Sequence, residues 1–170
     1  MNTQEGASDI NPRWRISHAR GYLGLGLAAH ALAELALLPS VLDDRDDVMM
    51  LRAAALQELR EWLRLQPLAR ELVRRHPDDA GWWIMWAYAT RRAESLRTAN
   101  DILLDAESRH PGEAVIHFNL GCYACLLGDL TEAQRRVELA VSLDAGFAES
   151  SLTDPDLADL RETGWLPRGT

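Results

Sequence analysis

Cys122 and Cys125 are the two thiols of the chain, and with His117 they form a constellation whose residue types suit metal ligation or disulfide exchange. A Cys-x-x-Cys pair does redox work when a sulfur sits at a helix N-terminus, where the dipole lowers its pKa and supplies a thiolate. Here the pair falls in the second half of a helix that the apolar pattern starts near Ala114, so the dipole gives neither sulfur that help. No second cysteine pair completes a zinc site or a disulfide framework. Both are read as free thiols that pack as small apolar residues, and His117 as a packing residue.

Other groups with chemical potential lack the spacing that chemistry needs. The acidic run Asp43, Asp44, Asp46, Asp47 misses the alternating pattern of a calcium loop and reads as a solvated loop. Gly21, Gly24 and Gly26 come in the wrong order for a dinucleotide loop and follow no strand. Ser17-His18 has no third member, and no nucleophile elbow, oxyanion hole or carboxylate pair is visible. His76 and His110 each precede a proline at a helix end, where an imidazolium complements the helix dipole. All 18 basic residues are arginine, which removes a Schiff-base lysine and the lysine of a P-loop. The expectation is a non-enzyme without cofactor or metal.

The elements that carry these residues are helices. Within residues 111–144, apolar Val115, Phe118, Leu120, Cys122, Cys125 and Leu126 recur at helical spacing. After Gly128-Asp129, a turn signal, Leu130, Ala133, Val137, Ala140 and Val141 repeat the pattern. The arrangement recurs upstream with a period of about 34 residues, which sets Pro111 on Pro77 and Ala133 on Ala99. A net charge of −8 argues against nonspecific binding to nucleic acid or anionic membrane, because phosphate affinity comes from accumulated cations. The most apolar stretch, residues 22–38, carries Gly24, Gly26, His30 and Glu34 and ends before Pro39, so it reads as buried helix and not as a membrane span. No basic start followed by an apolar core marks a secretory signal, and a cytoplasmic setting is expected. The lysine-free, alanine- and leucine-rich composition suggests a GC-rich bacterial genome.

With Leu120, Gly121, Gly128, Ala133 and Ala140 at the positions where the pattern wants Leu, Gly or Ala, Gly, Ala and Ala, the chain resembles the tetratricopeptide repeat family. The resemblance implies an all-α fold: a right-handed α-solenoid of four helical hairpins with a short C-terminal capping helix. The units are 12–45, 46–79, 80–113 and 114–147, after a loose arm over 1–11. A polar connection over 148–153 leads to a capping helix near 155–162, signalled by Asp154-Pro155 and by Leu157 and Leu160 three apart; Trp165 and Leu166 extend the cover. The second unit diverges most, with Arg60 in place of the turn glycine and Pro67 inside its second helix. That proline should kink, shorten or delay the helix. Trp83 and Trp86 of the third unit pack between helices.

In this family the first helices of the hairpins line a concave groove that holds a peptide or helix of a partner, which makes the chain an adaptor or co-chaperone. The groove positions implied are Met50 and Gln57 in the second unit, Ile84, Tyr88, Arg91 and Arg92 in the third, and Val115, Phe118, Asn119, Cys122, Cys125 and Leu126 in the fourth. Tyr88, Phe118 and Leu126 supply apolar contact, while Arg91, Arg92 and Asn119 fix orientation, so the partner is amphipathic with some acidic character. Met50, Ala54, Met85 and Val115 stand where a carboxylate-clamp groove needs polar residues, which disfavours that subclass. Alternatives are a self-associating structural subunit, a chaperone of the type III secretion kind, and a small-molecule or enzyme site around Trp82, Trp86, Tyr88 and Cys122.

Overall fold

The computed structural model describes residues 10–165, and among them the chain is all α, with no strand. Four helices open hairpins: α1 (Pro12–Gly24), α3 (Asp46–Glu58), α5 (Ala80–Ala93) and α7 (Ala114–Leu126). Four close them: α2 (Ala28–Ala36), α4 (Trp62–Arg75), α6 (Leu96–Arg109) and α8 (Leu130–Leu143). Successive openers begin 34 residues apart, and so do successive closers. Local chemistry sets these starts. Asn11 accepts from the Arg13 amide with Pro12 at the first helical position, and the Asp79, Ser95 and Asp129 side chains cap α5, α6 and α8.

The chain divides into two compact units, one ending at Arg75 and the next beginning at His76. In the first, Ile16 and Ala19 of α1, Ala28, Ala31 and Leu35 of α2, and Val48 and Ala55 of α3 bury one apolar core. Arginines tie its edges. Arg15, 4% exposed, donates to Glu34 at 3.0 Å. Arg52 donates to the Leu35 carbonyl and to Asp43, and Arg75 to Asp46 and Glu71. The acidic run is therefore an acceptor set for this unit's own arginines, with Asp47 taking Arg45 at 3.0 and 2.8 Å.

In the second unit a repeated hydrogen bond marks the register. Trp83 Nε1 donates to the Pro77 carbonyl at 2.9 Å, and 34 residues on, His117 Nε2 meets the Pro111 carbonyl at 2.8 Å. Since a carbonyl only accepts, His117 is protonated on Nε2 and presents Nδ1 as the acceptor to Arg136 Nη1 at 3.3 Å. Arg136, 6% exposed, also pairs with Glu107 and Glu132. His110 turns its ring to the Pro77 carbonyl at 3.0 Å, so it joins the end of α6 to the segment that leads into α5.

Two expectations need correction. Pro67 does not break or delay α4, which runs 14 residues, as long as α6 and α8. The proline is exposed on its helix, and the carbonyl it deprives of a donor belongs to Leu63, itself 75% exposed, so the lost bond falls on the solvent side. Residues 148–153 are no loop but lie within α9 (Gly146–Thr153). A 3-10 turn at Pro155–Leu157 and α10 (Ala158–Glu162) follow, so the expected capping helix starts as a tighter coil. Trp165 Nε1 reaches Glu138 of α8 at 3.3 Å. Residues 1–9 of the expected arm, and Leu166, lie outside the described residues. No helix among those described is long and apolar enough to cross a membrane.

Candidate functional site

The groove positions of the second unit lie on α5 and α7, and the chain's own C-terminal segment lies against part of them. Asp154 caps the Asp156 amide at 2.9 Å, while Arg161 Nη1 donates to the Ser151 and Asp154 carbonyls at 3.0 and 2.7 Å. These bonds fix a tight turn after α9 that directs residues 155–160 back along α7. Leu157 and Leu160 are 0% and 1% exposed there.

Four of the implied groove residues meet this segment. Arg91 donates from both terminal nitrogens to Asp156, at 2.5 and 3.0 Å, a bidentate pairing that fixes orientation as well as charge. Its guanidinium lies 5.3 Å from the Tyr123 ring centroid, which brings the end of α5 against α7. Phe118 stacks on Phe147 of α9 with centroids 4.7 Å apart. Cys122 lies with the Asp154 and Asp156 carboxylates, ligand atoms within 4.8 Å of one another. Burial first, then those two carboxylates, push the Cys122 thiol far above its usual range. Burial also pushes up the Cys125 thiol, opposed by the Leu160 backbone amide. Both shifts favour the thiol over the thiolate, and the Asp156 carboxylate of this cluster is taken by the Arg91 guanidinium.

The remaining positions of this unit are more open. Tyr88 and Arg92 are both exposed, and they pair with each other, the guanidinium 3.6 Å from the ring centroid. Ile84, Val115 and Asn119 are half-buried, and Asn119 Nδ2 donates to the Val115 carbonyl at 2.8 Å. Leu126 is exposed at the end of α7. In the first unit, Met50 is half-buried and Gln57 exposed on α3. Trp83 and Trp86 pack at 6.0 Å between centroids. Phe147, Asp156 and Leu160 were absent from the groove read off the sequence. Their signal was present in the Asp154-Pro155 start and the leucine spacing, but those features say only that a helix begins, not which face receives it.

No family model matches the chain, and no curated protein matches it. Solved structures do. MamA from Desulfovibrio magneticus RS-1 is 15% identical over 89% of each chain, with a TM-score of 0.68. TTC0263, a thermophilic TPR protein of Thermus thermophilus, is 20% identical over 88% of this chain and 86% of that one, with a TM-score of 0.61. YrrB, a TPR protein with an unusual peptide-binding site, is 13% identical over 94% of this chain and 76% of that one, with a TM-score of 0.70. The chain has the fold of tetratricopeptide repeat solenoids.

Proposed function

We propose that this tetratricopeptide-type chain is a non-catalytic protein-interaction module, an adaptor or co-chaperone, that takes an amphipathic peptide or helix of a partner on the faces of its opening helices in a cytoplasmic setting. The observation that carries the reading is the surface of α5 and α7: a Tyr88–Arg92 pair beside Ile84, Val115 and Asn119, with Leu126 beyond. Aromatic and arginine side chains dominate interface energetics, each costing roughly 2 kcal/mol or more when truncated at a hot spot. A stacked tyrosine and arginine offer both an apolar plate and a charge for an acidic residue. The peptide-binding site that YrrB is described as having, on the same fold, supports the reading. The burial of Cys122 and Cys125, which favours the thiol over the nucleophilic thiolate, supports a binding role over a catalytic one.

The test is affinity capture with the full chain and with Tyr88→Ala, Arg92→Glu and Asn119→Ala. These side chains are exposed or half-buried, so each variant is expected to keep its helical spectrum and to lose the protein that the unmodified chain retains. Unchanged capture by all three places the site elsewhere.

A further inference from the structure

The segment after α8 does more than an end cap requires. Covering the apolar edge of a last hairpin calls for apolar side chains on α8. The helix α10, which carries Leu160, packs on α8 and meets that need, and α9 begins close to where the 34-residue spacing would open another hairpin. Yet α9 stops after eight residues, and among the described residues no closing helix of hairpin length follows it. The chain instead turns at Asp154-Pro155, lies along α7, and aims a carboxylate at an arginine of α5, 65 positions earlier in the sequence. Charge placement of this kind sets register and selects partners more than it adds stability.

We propose that residues 154–160 are an internal copy of the ligand, so that this face recognises a segment with an acidic residue, a leucine next to it and a second leucine three positions on. A partner carrying that pattern binds by displacing the chain's own. The proposal rests on the interaction-module reading and adds the chemistry of the partner and the occupancy of the site at rest. Asp156 supplies the acid for Arg91; Leu157 and Leu160 supply the two apolar anchors; Phe147 covers Phe118.

The internal copy can leave without unfolding the hairpins. It is held by a 3-10 turn and a five-residue helix, which are elements of low local stability. The Arg91–Asp156 pair is 24% exposed on each side, within reach of a competing carboxylate. A tethered segment competes at an effective concentration on the order of millimolar. An external segment of the same chemistry therefore binds the resting chain weakly, and a weakened internal copy opens the site.

The test uses the full chain and a fluorescent synthetic peptide of residues 150–162, followed by anisotropy. Asp156→Ala with Leu157→Ala weakens the internal copy without touching α5 or α7. This variant is expected to bind the peptide about tenfold or more tighter than the unmodified chain, and adding Arg91→Glu is expected to abolish the gain. Should the double variant fail to fold, Asp156→Asn alone keeps both leucines and is expected to give a smaller gain of the same sign. Equal affinity in all chains, or binding that survives Arg91→Glu, overturns the proposal and makes the segment a fixed cap. Failure here leaves capture through Tyr88 and Arg92 intact, whereas failure of that capture leaves the peptide exchange intact, so the two readings fall separately.

Discussion

Arg60 adopts φ +57°, in the left-handed region where Gly26 and Gly128 take +70° and +86° at the same turn, one and two periods away. A side chain there crowds the following carbonyl, at a cost of roughly 1–2 kcal/mol that glycine escapes. Arg60 is exposed, so nothing is lost from the core by removing it. Arg60→Gly is therefore expected to stabilise the chain by roughly 1 kcal/mol, less the entropy that glycine adds to the unfolded state, as read by urea denaturation. The third hairpin avoids the problem differently: Glu94, at the equivalent position, has φ −134° and follows an α5 that runs one residue longer than α7. At Gly121 the constraint is space. A Cβ there would meet Val137 Cγ2 at 2.7 Å and the Ala133 carbonyl at 3.3 Å. Alanine ordinarily favours a helix over glycine by about 1 kcal/mol, but a buried valine has no room to yield, so Gly121→Ala is expected to lower the midpoint. A raised midpoint would show that α7 and α8 can separate at this crossing.

Among the elements, the regular hairpins were legible in the sequence because each combines a 3.6-residue apolar period with turn or capping signals at its ends. The helix α9 was not, since Glu149, Ser150 and Ser151 interrupt any period. Ser151 is nonetheless fully buried, its hydroxyl satisfied by the Ala148 carbonyl at 2.7 Å. In α4 the argument from Pro67 failed on location and not on chemistry: the lost hydrogen bond falls on the solvent side. The penalty is reduced but not removed, and Pro67→Ala is expected to raise stability by about 1 kcal/mol, below the roughly 3 kcal/mol of an enclosed site. Acid sensitivity also belongs to the helices. Hydrogen bonds from Arg74 and Arg75 hold Glu71 down to about 2, and those from Arg135 and Arg136 do the same for Glu132. A carboxylate depressed on folding contributes stability that is complete above its unfolded value near 4.5 and is lost as pH falls toward about 2. Thermal melts are expected to hold level down to about pH 5 and fall below it, and Glu132→Gln is expected to flatten that fall.

For the molecule as a whole, the groove positions implied by the family resemblance separate into two sets in the second unit. Arg91, Phe118, Cys122 and Cys125 lie against the chain's own segment, while Tyr88, Arg92 and Leu126 remain open to solvent. The sequence could place both sets on the same helix faces, because a 34-residue period assigns faces. It could not say which would be covered, because that depends on where a short turn after α9 sends the chain. Site-specific photo-crosslinking tests the binding face most directly, with a photoreactive phenylalanine analogue placed at Tyr88 on α5 and, separately, at Leu104, which is 40% exposed on α6. The account predicts adducts with another protein from position 88 and none from position 104. Adducts from position 104 alone, or equally from both, would contradict it.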